Sequence, residues 1–176
     1  KPRHQVLTNP PDLWMEQAKR LVKTAHTQLL DNPQALAWLE RRGLPLEAVK
    51  TYQFGLSPQD QWFDKEAWAL NADDKKLWIP AGILIPTLEP NGTVKRLKMR
   101  RDKNDDLPKY IAISGSMNGL SIIGSLHHET MIVVESELDA YAAHHATHDF
   151  ACSVAVGSNI KNPDNVVVSP GCKISL

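Results

Sequence analysis

Residues 131–140, with the sequence M-I-V-V-E-S-E-L-D-A, decide the fold class of this chain. The apolar, mostly β-branched run at their start predicts a short buried strand, and the residues from Leu138 onward predict the start of a helix. Glu135 therefore lies on the turn at the carboxyl end of a strand, where α/β sheets bind their ligands. Glu135 and Asp139 are close enough across this turn to share a hard divalent cation or its water shell. Both are candidate metal ligands and catalytic residues.

The same carboxylates also have a simpler explanation. Glu137 and Asp139 fall in the first turn of the predicted helix, where the helix dipole favours negative charge without any function. Acidic residues are common at such turns. These ten residues alone leave both explanations open.

Length and composition are those of a globular protein and not of a disordered tail. The 176 residues, 42% hydrophobic and 23% charged, can bury one good core or two small ones. The 20 basic residues balance the 20 acidic residues, so net charge gives no bulk attraction to nucleic acid or to a membrane. Cys152 and Cys172 are too few for a disulfide framework, and no secretory signal or long apolar run is present. We expect a cytoplasmic protein with no membrane partner.

The N-terminal part of the chain predicts helices. Apolar residues recur at helical spacing over residues 12–30. Asn32 is a candidate cap for a second helix that runs to Arg42, where Gly43 supplies a left-handed stop. A short third helix is expected over residues 45–51.

The following part predicts strands. Period-two alternation on both sides of Asn91-Gly92 predicts an antiparallel hairpin, and Pro86 predicts a strand edge. Two later strands are separated by a helix, so they form a parallel βαβ unit. The predicted fold class is α+β, with helices and an antiparallel sheet followed by one β-α-β unit. The expected strands are residues 83–87, 93–100, 110–113, 131–134 and 153–156.

A basic stripe marks the second hairpin strand. Arg96, Lys98 and Arg100 alternate with apolar residues, so they share one face at intervals of about 6.6 Å, which we expect to be exposed to solvent. Seven of the 20 basic residues fall within residues 95–109, and such a stripe can follow a phosphate backbone. Charges also protect edge strands from aggregation, so both explanations stay open. Tyr110 is the one aromatic residue near the stripe that is suited to stacking on a base, although a tyrosine in a strand more often belongs to the core.

Three segments, taken in order, resemble the polymerase core of bacterial-type DNA primases. Residues 37–58 contain the R-G pair of the segment that opens this core. Residues 83–101, followed by L-P-K-Y at 107–110, resemble the stretch whose basic residues contact template and nucleotide phosphates. Residues 132–140 are similar to the V-V-x-E-G-x-x-D signature of the Toprim fold, which primases share with topoisomerases.

The resemblance implies roles for individual residues. Glu135 matches the Toprim glutamate that acts at the metal centre, and Asp139 matches its companion aspartate. Either Arg100 or Arg101 matches the family arginine, and Lys109 matches the lysine of the P-K-Y motif.

The resemblance also implies an activity for the full-length protein. It would be a DNA-directed RNA polymerase that synthesises short primers on single-stranded DNA by metal-dependent nucleotidyl transfer. Its partners would be single-stranded DNA, ribonucleoside triphosphates and a replicative helicase. The implied parts are a linking helix over residues 1–35, a primase-core subdomain over 36–128 and a partial Toprim domain over 129–176. The cations that would hold template and triphosphate are Arg96, Lys98, Arg100, Arg101 and Lys109.

Two features depart from the family. Ser136 stands where the family has Gly, and the D-x-D pair that supplies most Toprim metal ligands is missing, with Asp164 standing alone. We expect that the chain is an excised fragment that ends short of this pair, and that Mg²⁺ or Mn²⁺ binds only when the pair is present. The alternative is a non-catalytic Toprim-like nucleic-acid-binding module of a phage or mobile element.

A zinc site is not expected. His144, His148 and Cys152 recur every four residues, but zinc would need a further ligand and supporting groups that the sequence does not identify. Surface histidines are the simpler explanation.

Overall fold

The computed structural model describes residues 8–71, 76–103, 105–147 and 150–156, and the backbone of residues 173–175. The chain divides into two units. The antiparallel unit contains Leu7–Ala37 and Val49–Asn118, and the βαβ unit contains Trp38–Ala48 and Gly119–Leu176. The three parts expected from the sequence remain a prediction.

The described residues form four α-helices where the sequence shows helical periodicity. Asn32 caps the second helix, because its Oδ1 accepts a hydrogen bond from the Ala35 N–H at 2.9 Å. That helix ends at Glu40, before the predicted Arg42, and Gly43 follows with a φ of +79°. The helices are α1 (Asp12–Leu30), α2 (Pro33–Glu40), α3 (Leu46–Tyr52) and α4 (Glu137–Thr147), with a 3₁₀ turn at Lys65–Trp68.

The strands of the antiparallel unit are β1 (Gly55–Ser57), β2 (Gln61–Phe63), β3 (Leu77–Ile79), β4 (Gly82–Leu88), β5 (Val94–Arg100) and β6 (Tyr110–Ala112). Four of them form an antiparallel sheet in the order β1-β4-β5-β6, and β2 pairs with β3. The predicted hairpin is confirmed as β4 and β5. Strand β1 pairs only with residues 82–84 of β4, so β4 has a local edge where Pro86 lies.

The core of the antiparallel unit lies between α1 and one face of this sheet. Side chains alternate along β5, so Leu97 and Met99 share the face that packs on α1, and the basic residues point to the other face. Strand β1 approaches α1 closely at Gly55, where a Cβ would lie 2.6 Å from the Ala25 Cβ. The α1 residues in this core are Trp14, Ala18, Val22 and Ala25.

The strands of the βαβ unit are β7 (Ser121–Ile123), β8 (Thr130–Val134), β9 (Cys152–Ala155) and β10 (Lys173–Ser175). They form a sheet in the order β10-β8-β9-β7, in which β8 and β9 are parallel and α4 connects them. Met131, Cys152 and Val154 form its buried cluster. The α+β fold class and the parallel βαβ unit are therefore confirmed. In the described part of the chain, no helix is long and apolar enough to cross a membrane.

Candidate nucleic-acid interface and acidic turn

The basic residues of β5 lie on the sheet face opposite α1. Arg96, Lys98 and Arg100 occupy alternate positions of the strand, as the sequence predicts. Lys98 lies opposite Ala112 and Arg100 opposite Tyr110 on the neighbouring strand β6. The three side chains differ in exposure and in what they contact.

Arg96 is a buried residue with structural partners. It is 5% exposed, and its Nε and Nη2 donate to the carbonyl oxygens of Met117 and Asn118, both at 2.8 Å. The expectation that the whole stripe faces solvent is therefore wrong for Arg96. The physical reason is that residues 113–118 return alongside β5, where the Met117 N–H bonds to the Lys95 carbonyl at 2.8 Å.

Lys98 and Arg100 are half-buried. Lys98 Nζ lies 5.9 Å from the centroid of the Tyr110 ring, in cation–π contact. The Arg100 side chain is 11% exposed, and its Nη1 lies 3.5 Å from the Oδ1 of Asp102, whose own side chain is 93% exposed. An ion pair to so exposed a carboxylate is weak and screened by salt.

Arg101 is the most enclosed cation of the group. It is 2% exposed, its Nη1 donates to Asp105 Oδ1 at 2.7 Å, and its Nη2 bonds to Asp105 Oδ2. Its Cζ lies 5.6 Å from the centroid of the Trp78 ring. The hydrogen bonds from Arg101 lower the pKa of Asp105 to about 2, and the same bonds raise the pKa of Arg101.

The loop that joins β5 to β6 adds exposed cations. The Arg101 N–H donates to the Lys109 carbonyl at 2.8 Å, which closes the base of the loop, and the Lys109 side chain is exposed. Lys103 Nζ lies 3.4 Å from Asp60 Oδ2. The pKa of Asp60 is lowered, mainly by the hydrogen bond from the Ala81 N–H and further by Lys103.

Trp62 is an exposed aromatic residue that sequence analysis missed. It is 57% exposed on β2 and lies directly opposite Trp78 on β3. Trp78 in turn packs beneath the Arg101 guanidinium. In the sequence, Tyr110 is the one aromatic residue near the basic stripe that is suited to stacking, whereas in the structure Trp62 is the more exposed ring. No sequence signal distinguishes Trp62 from the buried Trp14 and Trp68, because its exposure depends on the pairing of β2 with β3.

The two predicted metal ligands, Glu135 and Asp139, lie in different surroundings on the turn between β8 and α4. Glu135 directly follows β8 and is exposed. Asp139 lies in the first turn of α4, where its Oδ2 accepts a hydrogen bond from Ser136 Oγ at 2.6 Å, and its N–H donates back to that Oγ at 3.4 Å. Ser136, at the position of the family glycine, therefore caps α4 with its hydroxyl oxygen.

Arg42 occupies the other oxygen of Asp139. Its Nη2 donates to Asp139 Oδ1 at 2.9 Å, and its Cζ lies 5.3 Å from the centroid of the Trp38 ring. Gly43 lies against α4, because a Cβ at Gly43 would stand 3.5 Å from the Ala142 Cβ. The turn after α2 is therefore held on α4 by an ion pair and a close backbone approach, which the sequence did not predict.

These residues do not fit a complete magnesium site. Both oxygens of Asp139 have partners within the protein, and Glu135 is the carboxylate of the turn that stays exposed. Magnesium is held by one or two carboxylates together with substrate phosphates. Among the described residues, no three acidic, histidine or cysteine side chains come together as a metal site. Glu135 and Asp139 remain predicted ligands, and Asp164 lies outside the described residues.

Two residues of the weak zinc pattern, His144 and Cys152, lie within the described part of the chain, and both are buried. His144 is 9% exposed and Cys152 is fully buried, so the expectation of a surface histidine is wrong for His144. Gly124 leaves room for that ring, because a Cβ there would lie 2.5 Å from His144 Nε2. His148 and Cys172 lie outside the described residues.

Comparison with known proteins identifies the fold. No family model matches the chain, and no curated protein sequence matches it. Solved primase structures do match. The zinc-binding and RNA polymerase domains of Aquifex aeolicus primase superpose with a TM-score of 0.60 at 19% identity, over 81% of this chain and 41% of that one. A DnaG primase catalytic domain bound to single-stranded DNA superposes with a TM-score of 0.60 at 18% identity, over 80% of this chain and 55% of that one. The RNA polymerase domain of Mycobacterium tuberculosis DnaG in complex with double-stranded DNA superposes with a TM-score of 0.58 at 16% identity, over 80% of this chain and 54% of that one.

The chain thus has the fold of a bacterial primase catalytic core. It spans between 41% and 55% of the length of these three solved chains. At such identities the likeness establishes the fold alone.

Proposed function

We propose that this chain is part of a DNA primase, a DNA-directed RNA polymerase that makes short RNA primers on single-stranded DNA by metal-dependent nucleotidyl transfer. The observation that carries the proposal is the likeness to primase cores over 81% of the chain. The proposed ligands are single-stranded DNA and ribonucleoside triphosphates, with a replicative helicase as partner of the longer protein. The proposed location is the cytoplasm.

The antiparallel unit supplies the nucleic-acid interface in this proposal. Lys98, Arg100 and Lys109 offer phosphate contacts, which position a strand without reading its sequence. Trp62 offers its exposed ring for stacking on a base. Arg96 supports this surface by fixing residues 113–118 beside β5.

Catalysis requires more than the acidic turn provides. When bound, magnesium would stabilise the charge that develops on the transferred phosphoryl group. Glu135 is the carboxylate open to such an ion, and further ligands, expected from the D-x-D pair of the Toprim fold, would have to come from outside the described residues. We expect that the 176-residue chain binds single-stranded DNA and synthesises no primer; templated synthesis by this chain would contradict the view that its metal site is incomplete.

A second candidate function is a non-catalytic Toprim-like nucleic-acid-binding module of a phage or mobile element. The engagement of both Asp139 oxygens by Arg42 and Ser136 favours it, because a residue so paired is poorly placed to bind a metal. The coding sequence that follows residue 176 discriminates between the two. A D-x-D pair within the following strand and helix supports the primase, and its absence supports the module.

The interface is tested by fluorescence anisotropy of a labelled oligothymidylate between about 50 and 200 mM salt. Lys98→Ala combined with Lys109→Ala should weaken binding and reduce the salt slope by about 1.4, since each lost single-strand phosphate contact contributes about 0.7. The matched control is Lys19→Ala with Lys23→Ala, two exposed lysines of α1 on the other side of the sheet. Equal effects of both pairs, or no binding by the wild type at low salt, would contradict the proposed interface.

Trp62 is tested separately. Trp62→Ala should leave the thermal unfolding temperature nearly unchanged, because the side chain is exposed, but should weaken binding of the oligothymidylate about tenfold through loss of one stacked base. Leu13→Ala, which removes another exposed apolar side chain of the same unit, is the control and should leave affinity unchanged. An equal effect of the two substitutions would argue against stacking on Trp62.

A further inference from the structure

Arg101 has a buried guanidinium whose Nε has no hydrogen-bond partner. Asp105 accepts from Nη1 and Nη2, and the Nε–H has no acceptor although it is buried. A carboxylate bonded to both Nη atoms cannot also reach Nε. A phosphate group has more acceptor oxygens and can bond to the guanidinium along either edge, which is why arginine is favoured at phosphate sites.

The surroundings of this guanidinium suit a phosphate. One side packs on Trp78, which holds the plane of the guanidinium in place. Lys103 and Lys109, both exposed, belong to the loop that covers Arg101. Asp60 pairs with Lys103 and also acts on the charge of Arg101, so a phosphate on this guanidinium would be held by direct hydrogen bonds and not by the net charge around it.

Asp105 also holds the loop closed. Its Oδ1 accepts from Arg101 Nη1 and from the Leu107 N–H, the latter at 3.1 Å. The other described residues of the loop are exposed. Together with the ion pair between Lys103 and Asp60, the Arg101–Asp105 pair anchors this loop beside the guanidinium.

We propose that Asp105 occupies the place of a phosphate on Arg101, so that Arg101 is a docking point for one phosphate group and Asp105 is an internal competitor that the incoming phosphate displaces. The inference rests on the proposed nucleic-acid interface and adds to it a carboxylate that limits affinity. The phosphate belongs either to the backbone of single-stranded DNA or to a nucleoside triphosphate.

Asp105→Asn tests the competition with little change in shape. The asparagine keeps Oδ1 for the Leu107 N–H but loses the charge that binds Arg101. Asp106→Asn is the matched control, because Asp106 is the next residue, is exposed, and its substitution removes the same charge. Asp105→Asn should bind labelled oligothymidylate about five- to tenfold more tightly than the wild type. It should also steepen the salt dependence of binding by about 0.7, which is the contribution of one additional single-strand phosphate contact. Asp106→Asn should change affinity less than twofold and leave the slope unchanged.

The gain must depend on Arg101. In an Arg101→Ala background, Asp105→Asn should have no more effect than Asp106→Asn. Equal gains from the two asparagine variants, or a gain that survives in Arg101→Ala, would overturn the inference. Thermal unfolding of each variant shows that it is folded.

A second arm separates the two phosphate sources and keeps the inference distinct from the proposed function. Adenosine triphosphate is titrated against each variant and the shift in unfolding temperature is recorded. A larger shift for Asp105→Asn than for Asp106→Asn, without a gain in oligothymidylate affinity, assigns the site to a triphosphate. If no variant binds DNA, the proposed interface fails, and the triphosphate titration alone decides the inference. Equal shifts in both variants would then reject it.

Discussion

Arg96 and Arg101 are both buried arginines of the basic region, but their acceptors differ. Arg96 donates to two neutral backbone carbonyls. Arg101 donates to a carboxylate, which compensates its charge locally. The sequence places both within the same cationic stretch. The distinction arises from which chain segment folds over each guanidinium.

Arg42 and Asp139 should be coupled energetically. The pair is half-buried, and Arg42 also contacts the Trp38 ring, so a double-mutant cycle of Arg42→Ala and Asp139→Asn should give a coupling of about 0.5–1 kcal/mol in urea unfolding. Arg41 is the exposed neighbour of Arg42 and provides the control. A cycle of Arg41→Ala with Asp139→Asn should be additive within about 0.3 kcal/mol. Equal coupling in both cycles would show that the ion pair contributes nothing specific.

At the level of elements, strand periodicity and helix capping position the candidate sites. The alternation along β5 puts Leu97 and Met99 toward α1 and the basic residues on the other face, which the sequence pattern predicts. The strand β8 ends at Val134 and α4 begins at Glu137, so Glu135 and Ser136 form the whole connection. In so short a turn, the capping bonds of Ser136 fix the orientation in which Glu135 leaves the strand.

Ser136 should contribute to stability as a helix cap. Ser136→Ala should lower the free energy of unfolding by about 1 kcal/mol, because the Asp139 N–H and carboxylate lose their partner. Ser136→Gly, which installs the family residue, should cost only a few tenths of that, since glycine is tolerated at cap positions. Urea unfolding measures both. Equal losses for the two variants would show that the side-chain oxygen is not the cause.

At the scale of the whole molecule, the chain has no net charge, and some of the basic residues between positions 95 and 109 are also paired with nearby acidic residues. Four of the basic residues between positions 95 and 109 form ion pairs, to Glu89, Asp102, Asp105 and Asp60. Asp102 and Asp105, which lie within the same stretch of sequence, are thus direct partners of the cations. A long-range attraction for nucleic acid should accordingly be modest, and binding should depend on local contacts.

The stability of the fold should fall in acid. Asp60 and Asp105 both have lowered pKa values in the folded chain, and that of Asp105 is about 2. A carboxyl group whose pKa is lower in the folded state than in the unfolded state stabilises the fold. This stabilisation is fully present above the unfolded pKa of about 3.9, and it is lost as the pH falls through the folded pKa. The unfolding temperature should therefore fall between about pH 4 and pH 2, less steeply for Asp105→Asn than for Asp106→Asn. Equal acid dependence of the two variants would contradict this assignment.

The sequence by itself determined the fold class, the helices, the β4–β5 hairpin and the parallel βαβ unit, because periodicity, caps and turn residues act over a few neighbouring positions. It also identified the basic strand and the acidic turn as the places to examine. Only the tertiary structure decided which charges are available. Asp139 is paired by Arg42, 97 positions away, Arg96 is covered by residues 113–118, and Trp62 is exposed by the pairing of β2 with β3. Such partners meet through chain topology, and nothing in a local pattern of residues specifies them.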